Sequence, residues 1–136
     1  MDENQVIWQE LRTKQNNLDS LNESNRSIRQ QREKQFEDLQ QKRDQLLHMM
    51  EMKYQMILHT LGQVEVDTTE ERERLNRIAS HFSQAVSIGF TRNQRALEQK
   101  IENEEIEYRR ERRKLEDDID TLHRRKMKLN QEKRKG

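Results

Sequence analysis

The feature that most constrains this chain is its lack of helix-breaking residues. In 136 residues it has no proline and three glycines, and nothing interrupts a helix from Gln5 to Leu61. A sheet protein needs more turns than such a composition supplies. Only 29% of the residues are apolar while 39% are charged, and basic and acidic residues nearly cancel to a net charge of +1. That balance is typical of long helices and coiled coils.

One break divides the chain in two. Gly62 suits the residue after a helix C-terminus, where glycine adopts a left-handed conformation at little cost. Farther on, Thr68 and Glu71 match the capping box that begins a helix. A loop this short favours an antiparallel hairpin, and the alternative is a parallel rod hinged at the turn. The prediction is a single elongated helical unit over 1–136, with helix one over about 4–61, a turn over 62–68 and helix two over about 69–133.

Apolar residues recur at heptad spacing along both predicted helices. The first seam contains Ile7, Leu11, Leu18, Leu21, Ile28 and Leu39. It then shifts by one position, as a stutter produces, to two series: Phe36, Arg43, Met50, Ile57 and Val64, and Gln40, Leu47, Tyr54 and Leu61. The second helix has Ile101, Tyr108, Leu115, Leu122 and Leu129. We therefore predict an all-α fold, a long antiparallel helical hairpin or coiled coil that associates into a multi-helix bundle.

The densest apolar segments flank the break. Residues 46–61 contain ten apolar side chains in sixteen, and residues 75–90 contain eight in sixteen. Those of 46–61 populate nearly every side of their helix, which is more than two helices bury in one seam. A second copy of the hairpin or helices of other subunits would cover the remainder. The predicted assembly interface is Leu46, Leu47, Met49, Met50, Tyr54, Ile57, Leu61, Leu75, Ile78, Phe82 and Val86.

Two polar or small residues have special positions in these helices. Asn25 falls at an a position, where a buried amide sets register in a coiled coil, or else it lies in a solvated end. Gly89 lies inside helix two, where glycine costs about 1 kcal/mol relative to alanine. It either permits close helix packing near Arg43 or is a tolerated defect.

No pattern in the sequence indicates catalysis or a bound cofactor. Four methionines lie between residues 49 and 56, and core packing or an adaptable interface explains them better than copper binding. His48 and His59 lack the spacing of a metal site. We expect no catalytic residues, no metal, no cofactor and no small-molecule substrate, because phosphate loops, nucleophile elbows and cysteines are all missing.

The C-terminal end is strongly basic. Residues 124–136 form a basic tail, and the candidates for contact with a polyanion are Arg124, Arg125, Lys126, Lys128, Lys133, Arg134 and Lys135. Such a tail suits nucleic acid, a microtubule or an anionic membrane. A simpler explanation of the basic tail is a helix end that increases solubility and whose cations interact favourably with the helix dipole.

Two functional hypotheses follow. The first is a non-enzymatic structural or scaffold subunit that assembles by coiled-coil packing with itself or with other coiled-coil subunits. The alternative is a binding module that presents the basic C-terminal helix to a polyanion. The start MDENQVIWQE lacks a secretory signal and no apolar run is long enough to span a membrane, so we expect an intracellular protein, cytoplasmic or nuclear.

Overall fold

Two long helices connected by a short loop account for the fold. The computed structural model describes residues 2–135, with side chains up to Arg134. Helix α1 spans Glu3–Gly62 and helix α2 spans Thr69–Lys135. No strand occurs among the described residues. The prediction of two long helices packed against each other as a hairpin is confirmed, which excludes the hinged rod, whereas association into a multi-helix bundle stays a prediction.

Local capping explains where the helices begin. The Asp2 carboxylate accepts a hydrogen bond from the backbone N–H of Gln5 at 2.9 Å, which satisfies one orphan donor of the first turn. Thr68 is the N-cap of α2, since its carbonyl accepts the first helical bond from Arg72 at 3.0 Å. The Asp67 carboxylate accepts from the Thr69 N–H at 3.1 Å and from the Thr69 hydroxyl at 2.6 Å, and these bonds lower the pKa of Asp67.

The end of α1 differs from the glycine cap expected at Gly62. No described glycine has a positive φ. Instead the last turn tightens: the N–H of Gln63 bonds to the carbonyl of Thr60 at 3.2 Å, and the N–H of Val64 bonds to that of Leu61 at 3.4 Å. Such i to i+3 bonds satisfy terminal carbonyls without a left-handed residue. The prediction of a left-handed Gly62 was wrong.

The chain divides into two compact units. The first combines α1 up to Gln31 with α2 from Lys100 onwards. It contains the three buried apolar side chains of the described residues, Ile7, Ile119 and Leu122. The second unit runs from Arg32 to Gln99 and includes the loop. The apolar-rich segments belong to this second unit, yet their side chains are half-buried or exposed.

The spacing of inward-facing residues differs along each helix. In the first unit α1 places residues inward in alternating steps of three and four, the heptad pattern. In the second unit the steps repeat as four, four and three, an eleven-residue pattern. The half-buried positions that follow this spacing are Arg32, Phe36, Leu39, Arg43, Leu47, Met50, Tyr54, Leu58 and Leu61 in α1, and Leu75, Ala79, Ser83, Val86, Phe90, Gln94 and Leu97 in α2; Gly89, beside Phe90, is half-buried as well. The heptads predicted here were therefore wrong at Gln40, Ile57 and Val64, which are exposed.

Candidate assembly face

An apolar groove runs along one side of the second unit. One half, of about 340 Å³, is lined by Leu46, Met49, Met50, Lys53, Tyr54, Ile57, Leu75, Ile78, Ala79 and Phe82. The other half, of about 320 Å³, is lined by Leu39, Lys42, Arg43, Leu46, Phe82, Ala85, Val86, Gly89, Phe90 and Asn93. Leu46 and Phe82 line both halves. We call the two halves together the apolar groove.

Helical spacing explains why the groove forms on one side. At 3.6 residues per turn, Leu46, Met49 and Ile57 project from the same flank of α1. Ile78 and Phe82 project from the facing flank of α2 and line the same groove half. These five side chains remain 39–60% exposed in the hairpin. They form a contiguous apolar surface that the two helices leave uncovered.

The opposite side of this unit is polar. Its residues, which we call the polar edge, are Asp44, Glu51 and Gln55 of α1 and Asn76, Ser80 and Ser87 of α2, and all six are exposed. The Tyr54 hydroxyl donates to Asn76 Oδ1 at 2.6 Å, and Gln55 Nε2 donates to Glu51 Oε1 at 3.0 Å. Apolar side chains of residues 46–61 avoid this edge, and besides the groove they occupy the outer face of α1, where Met52 and Met56 are 55% and 68% exposed.

A cation–π contact crosses the groove floor. The Arg43 guanidinium lies 4.4 Å from the centroid of the Phe90 ring. Arg43 Nε also donates to Asp44 Oδ1 at 3.1 Å, so its charge is partly neutralised towards the polar edge. Lys42 and Lys53 line the groove on the same helix, and among the described residues neither makes an ion pair.

Nine of the eleven predicted interface residues line the apolar groove. The exceptions, Leu47 and Leu61, are half-buried and line neither half. Nine other lining residues were outside the predicted interface, and three of them are Lys42, Lys53 and Ala85. Their signal was present, since each lies three or four residues from a predicted neighbour on the same flank. The role of this set in assembly stays a prediction.

Gly89 does not permit close packing of the two helices. Outside the neighbouring backbone of its own helix, a methyl group placed at its Cα would meet no atom within 4 Å. The hypothesis that Gly89 packs tightly near Arg43 was therefore wrong. The residue lies at the groove surface, where its missing side chain leaves open space.

Two tyrosine–asparagine pairs connect the helices. Besides Tyr54 with Asn76, the Tyr108 hydroxyl donates to Asn22 Oδ1 at 2.7 Å. Each pair requires one alignment of α1 against α2, because a shift along either helix separates the two groups. Sequence reasoning assigned register to Asn25, which is half-buried. Its role stays a prediction, and the visible contacts of this kind are made by Asn22 and Asn76.

An ion pair adds to this alignment in the first unit. Arg29 donates to both carboxylate oxygens of Glu105, at 3.0 and 2.9 Å. The Arg29 guanidinium lowers the pKa of Glu105, with a further contribution from Arg109. Lys14 and Asp118 form a second pair at 3.2 Å. Both pairs are partly exposed, so solvent and salt screen them and each contributes little to stability.

The basic C-terminal end lies on α2 in the first unit. Arg124, Arg125, Lys126, Lys128, Lys133 and Arg134 are exposed, and the side chain of Lys135 lies outside the described residues. Arg125 and Lys128 line a shallow groove together with Glu3, Glu10 and Glu132. These carboxylates weaken the positive potential there. Contact with a polyanion stays a prediction.

Other classes of site are not evident in the described residues. They contain no group of three or more histidine and acidic side chains arranged to hold a metal ion. Over the same residues, neither helix has a stretch that is long and apolar enough to cross a membrane. Comparison of the chain with protein-family models, curated proteins and solved structures gives no match.

Proposed function

We propose that this protein is a non-enzymatic structural subunit that assembles with other helices by burying the apolar groove. The observation that carries the proposal is the mismatch between composition and burial in the second unit. Its segments are the richest in apolar residues, yet Met49, Ile57 and Ile78 remain 45–60% exposed. A contiguous apolar surface of this kind marks an interaction site.

The hairpin supports this role by presenting the groove in a fixed geometry. The hydrogen bond between Tyr54 and Asn76 connects the two helices on the side of the polar edge and fixes their alignment in this unit. A partner therefore meets a preorganised surface, which lowers the entropy cost of binding. The methionines Met49 and Met50 add flexible side chains that adapt to a partner's shape.

The side chains that line the apolar groove favour packing, because most of them are apolar. Its charged groups are Lys42, Arg43 and Lys53, and no carboxylate, histidine or serine lines it. General acid–base or nucleophilic chemistry needs such groups paired within hydrogen-bond reach. The groove is therefore proposed as a packing surface.

Site-specific photo-crosslinking tests the proposal with a matched pair of positions. Ile78 and Ile88 lie on the same helix and are each 60% exposed, but only Ile78 lines the groove. A photoreactive amino acid replaces one or the other in cells that produce the protein. We expect discrete crosslinked products from position 78 and none of those products from position 88.

The same two positions, 78 and 88, also show which results would contradict the proposal. If both positions yield the same products, or if position 78 yields none, the groove is not an assembly surface and the proposal fails. Circular dichroism on each purified variant checks that the helices are intact.

A further inference from the structure

We infer that the occupant of the apolar groove is an amphipathic helix from another protein, with carboxylates along one border of its apolar stripe. This inference rests on the proposed function and names the chemistry of the partner. Helix-in-groove binding is a common recognition mode, in which apolar anchors at helical spacing enter a groove between helices.

The charges of the groove select an acidic partner. Arg43 is already paired with Asp44. Lys42 and Lys53 make no ion pair among the described residues, and no carboxylate lines either half of the groove. A partner that places carboxylates beside these two lysines gains attraction and leaves no like charge facing them.

The spacing of the lysines specifies where the partner's carboxylates belong. Lys42 and Lys53 are eleven residues apart, which corresponds to three helical turns or about 16 Å. Both belong to α1, whereas the α2 wall consists of uncharged residues such as Phe82, Ala85 and Gly89. The partner helix therefore needs carboxylates about 16 Å apart on the border that faces α1 and an uncharged border towards α2.

The length and depth of the groove suit about five helical turns. Along α1 it extends from Leu39 to Ile57, which corresponds to roughly 27 Å or a partner of about 18 residues. The open space above Gly89 lets the backbone of a partner helix approach the α2 wall closely.

Two other occupants fit less well. A second copy of this chain would bring its own Lys42 and Lys53 and no groove carboxylate, so an interface between two copies of this face juxtaposes like charges. An anionic membrane would satisfy the lysines, but a concave groove between two helices fits the convex surface of a helix better than a flat lipid interface.

The test uses the full chain and two synthetic helical probes of about 18 residues. Both carry the same leucine stripe, and they differ only in having Glu or Lys at two border positions eleven residues apart. Fluorescence anisotropy of the labelled probes measures binding at low and high salt. We expect the Glu probe to bind about tenfold more tightly at low salt, with the difference shrinking as salt screens the charges.

Charge variants of the chain make the result specific. Lys42→Glu with Lys53→Glu should reverse the preference between the probes. The control, Lys34→Glu with Arg77→Glu, makes the same change in net charge at exposed positions outside the groove lining and should keep the original preference. Ile78→Asp should abolish binding of both probes.

Other outcomes overturn the inference in distinguishable ways. Equal binding of both probes, lost in Ile78→Asp, contradicts acidic selection but leaves the proposed function standing. A groove-dependent dimer in sedimentation that the Glu probe does not dissociate identifies a second copy as the occupant. Binding to vesicles with anionic lipid but to neither probe identifies a membrane. Absence of all binding, together with no crosslinks from position 78, refutes both proposals.

Discussion

Replacing Gly89 by alanine tests the packing of the hairpin most directly. The glycine lies inside α2 and has no positive φ, and a methyl group at its Cα meets no atom within 4 Å outside the neighbouring backbone of its own helix. Alanine should therefore gain its full helix propensity, about 0.8–1.0 kcal/mol, without any steric penalty. We expect the free energy of unfolding to rise by about 1 kcal/mol.

Urea unfolding followed by circular dichroism measures this change. With an m-value of about 1–3 kcal/mol/M, the midpoint should move upwards by roughly 0.3–1 M. Ala85→Gly, one turn earlier on the same helix and also at the groove surface, is the reciprocal control and should lower the midpoint by a similar amount. Repeating both at several protein concentrations separates helix propensity from self-association.

The reasoning is refuted if Gly89→Ala leaves stability unchanged or lowers it while Ala85→Gly behaves as expected. That result would mean that the space above Gly89 is occupied in solution, and that the glycine is required for close contact after all.

Further predictions concern register, pH and the basic end. Tyr54→Phe removes the hydroxyl that bonds Asn76 and should lower the free energy of unfolding by about 0.5–1 kcal/mol in urea titration; an equal loss in an Asn76→Ala background would contradict the pairing. Arg29 lowers the pKa of Glu105, so this ion pair stabilises the fold at pH values above the usual pKa of a glutamate. The stabilisation is lost as the pH falls through the lowered pKa of the folded state. The Glu105→Gln variant should therefore lose less stability than the wild type between pH 7 and pH 3. Charge reversal of the exposed cations at the basic C-terminal end should leave probe binding in the apolar groove unchanged. If the wild type binds nucleic acid, microtubules or anionic vesicles with a steep salt dependence and this variant does not, the polyanion hypothesis is favoured.

The sequence predicted the hairpin well because its determinants are local. The chain has almost no helix-breaking residues, and its single break between residues 62 and 68 separates two predicted helices of similar length. These features leave few folds other than a hairpin. Contacts between the helices agree with the predicted antiparallel hairpin, since Tyr54 pairs with Asn76 and Arg29 with Glu105. The helix-end detail at Gly62 was wrong, since a tightened last turn satisfies the same carbonyls without a left-handed residue.

The candidate site was predicted in part. Nine of the eleven interface residues line the apolar groove, because apolar density alone identified the segments. The rotation of the two helices about their own axes decides which flank stays uncovered. That rotation follows the eleven-residue spacing of the inward-facing residues, whereas the sequence pattern predicted heptads shifted by one position. With that error, exposed Ile57 was placed in the seam, and the flanking Lys42 and Lys53 went unnoticed.

The polar edge has a consequence for stoichiometry. A helical subunit with apolar surface on two opposite flanks adds neighbours in both directions, and nothing in its own structure stops the growth of a sheet or filament. In the second unit here, the edge opposite the groove consists of exposed groups such as Asp44, Glu51 and Ser87, which lose hydration if covered. We therefore expect that, in the proposed assembly, addition of a partner on the groove side ends growth and the number of chains is defined.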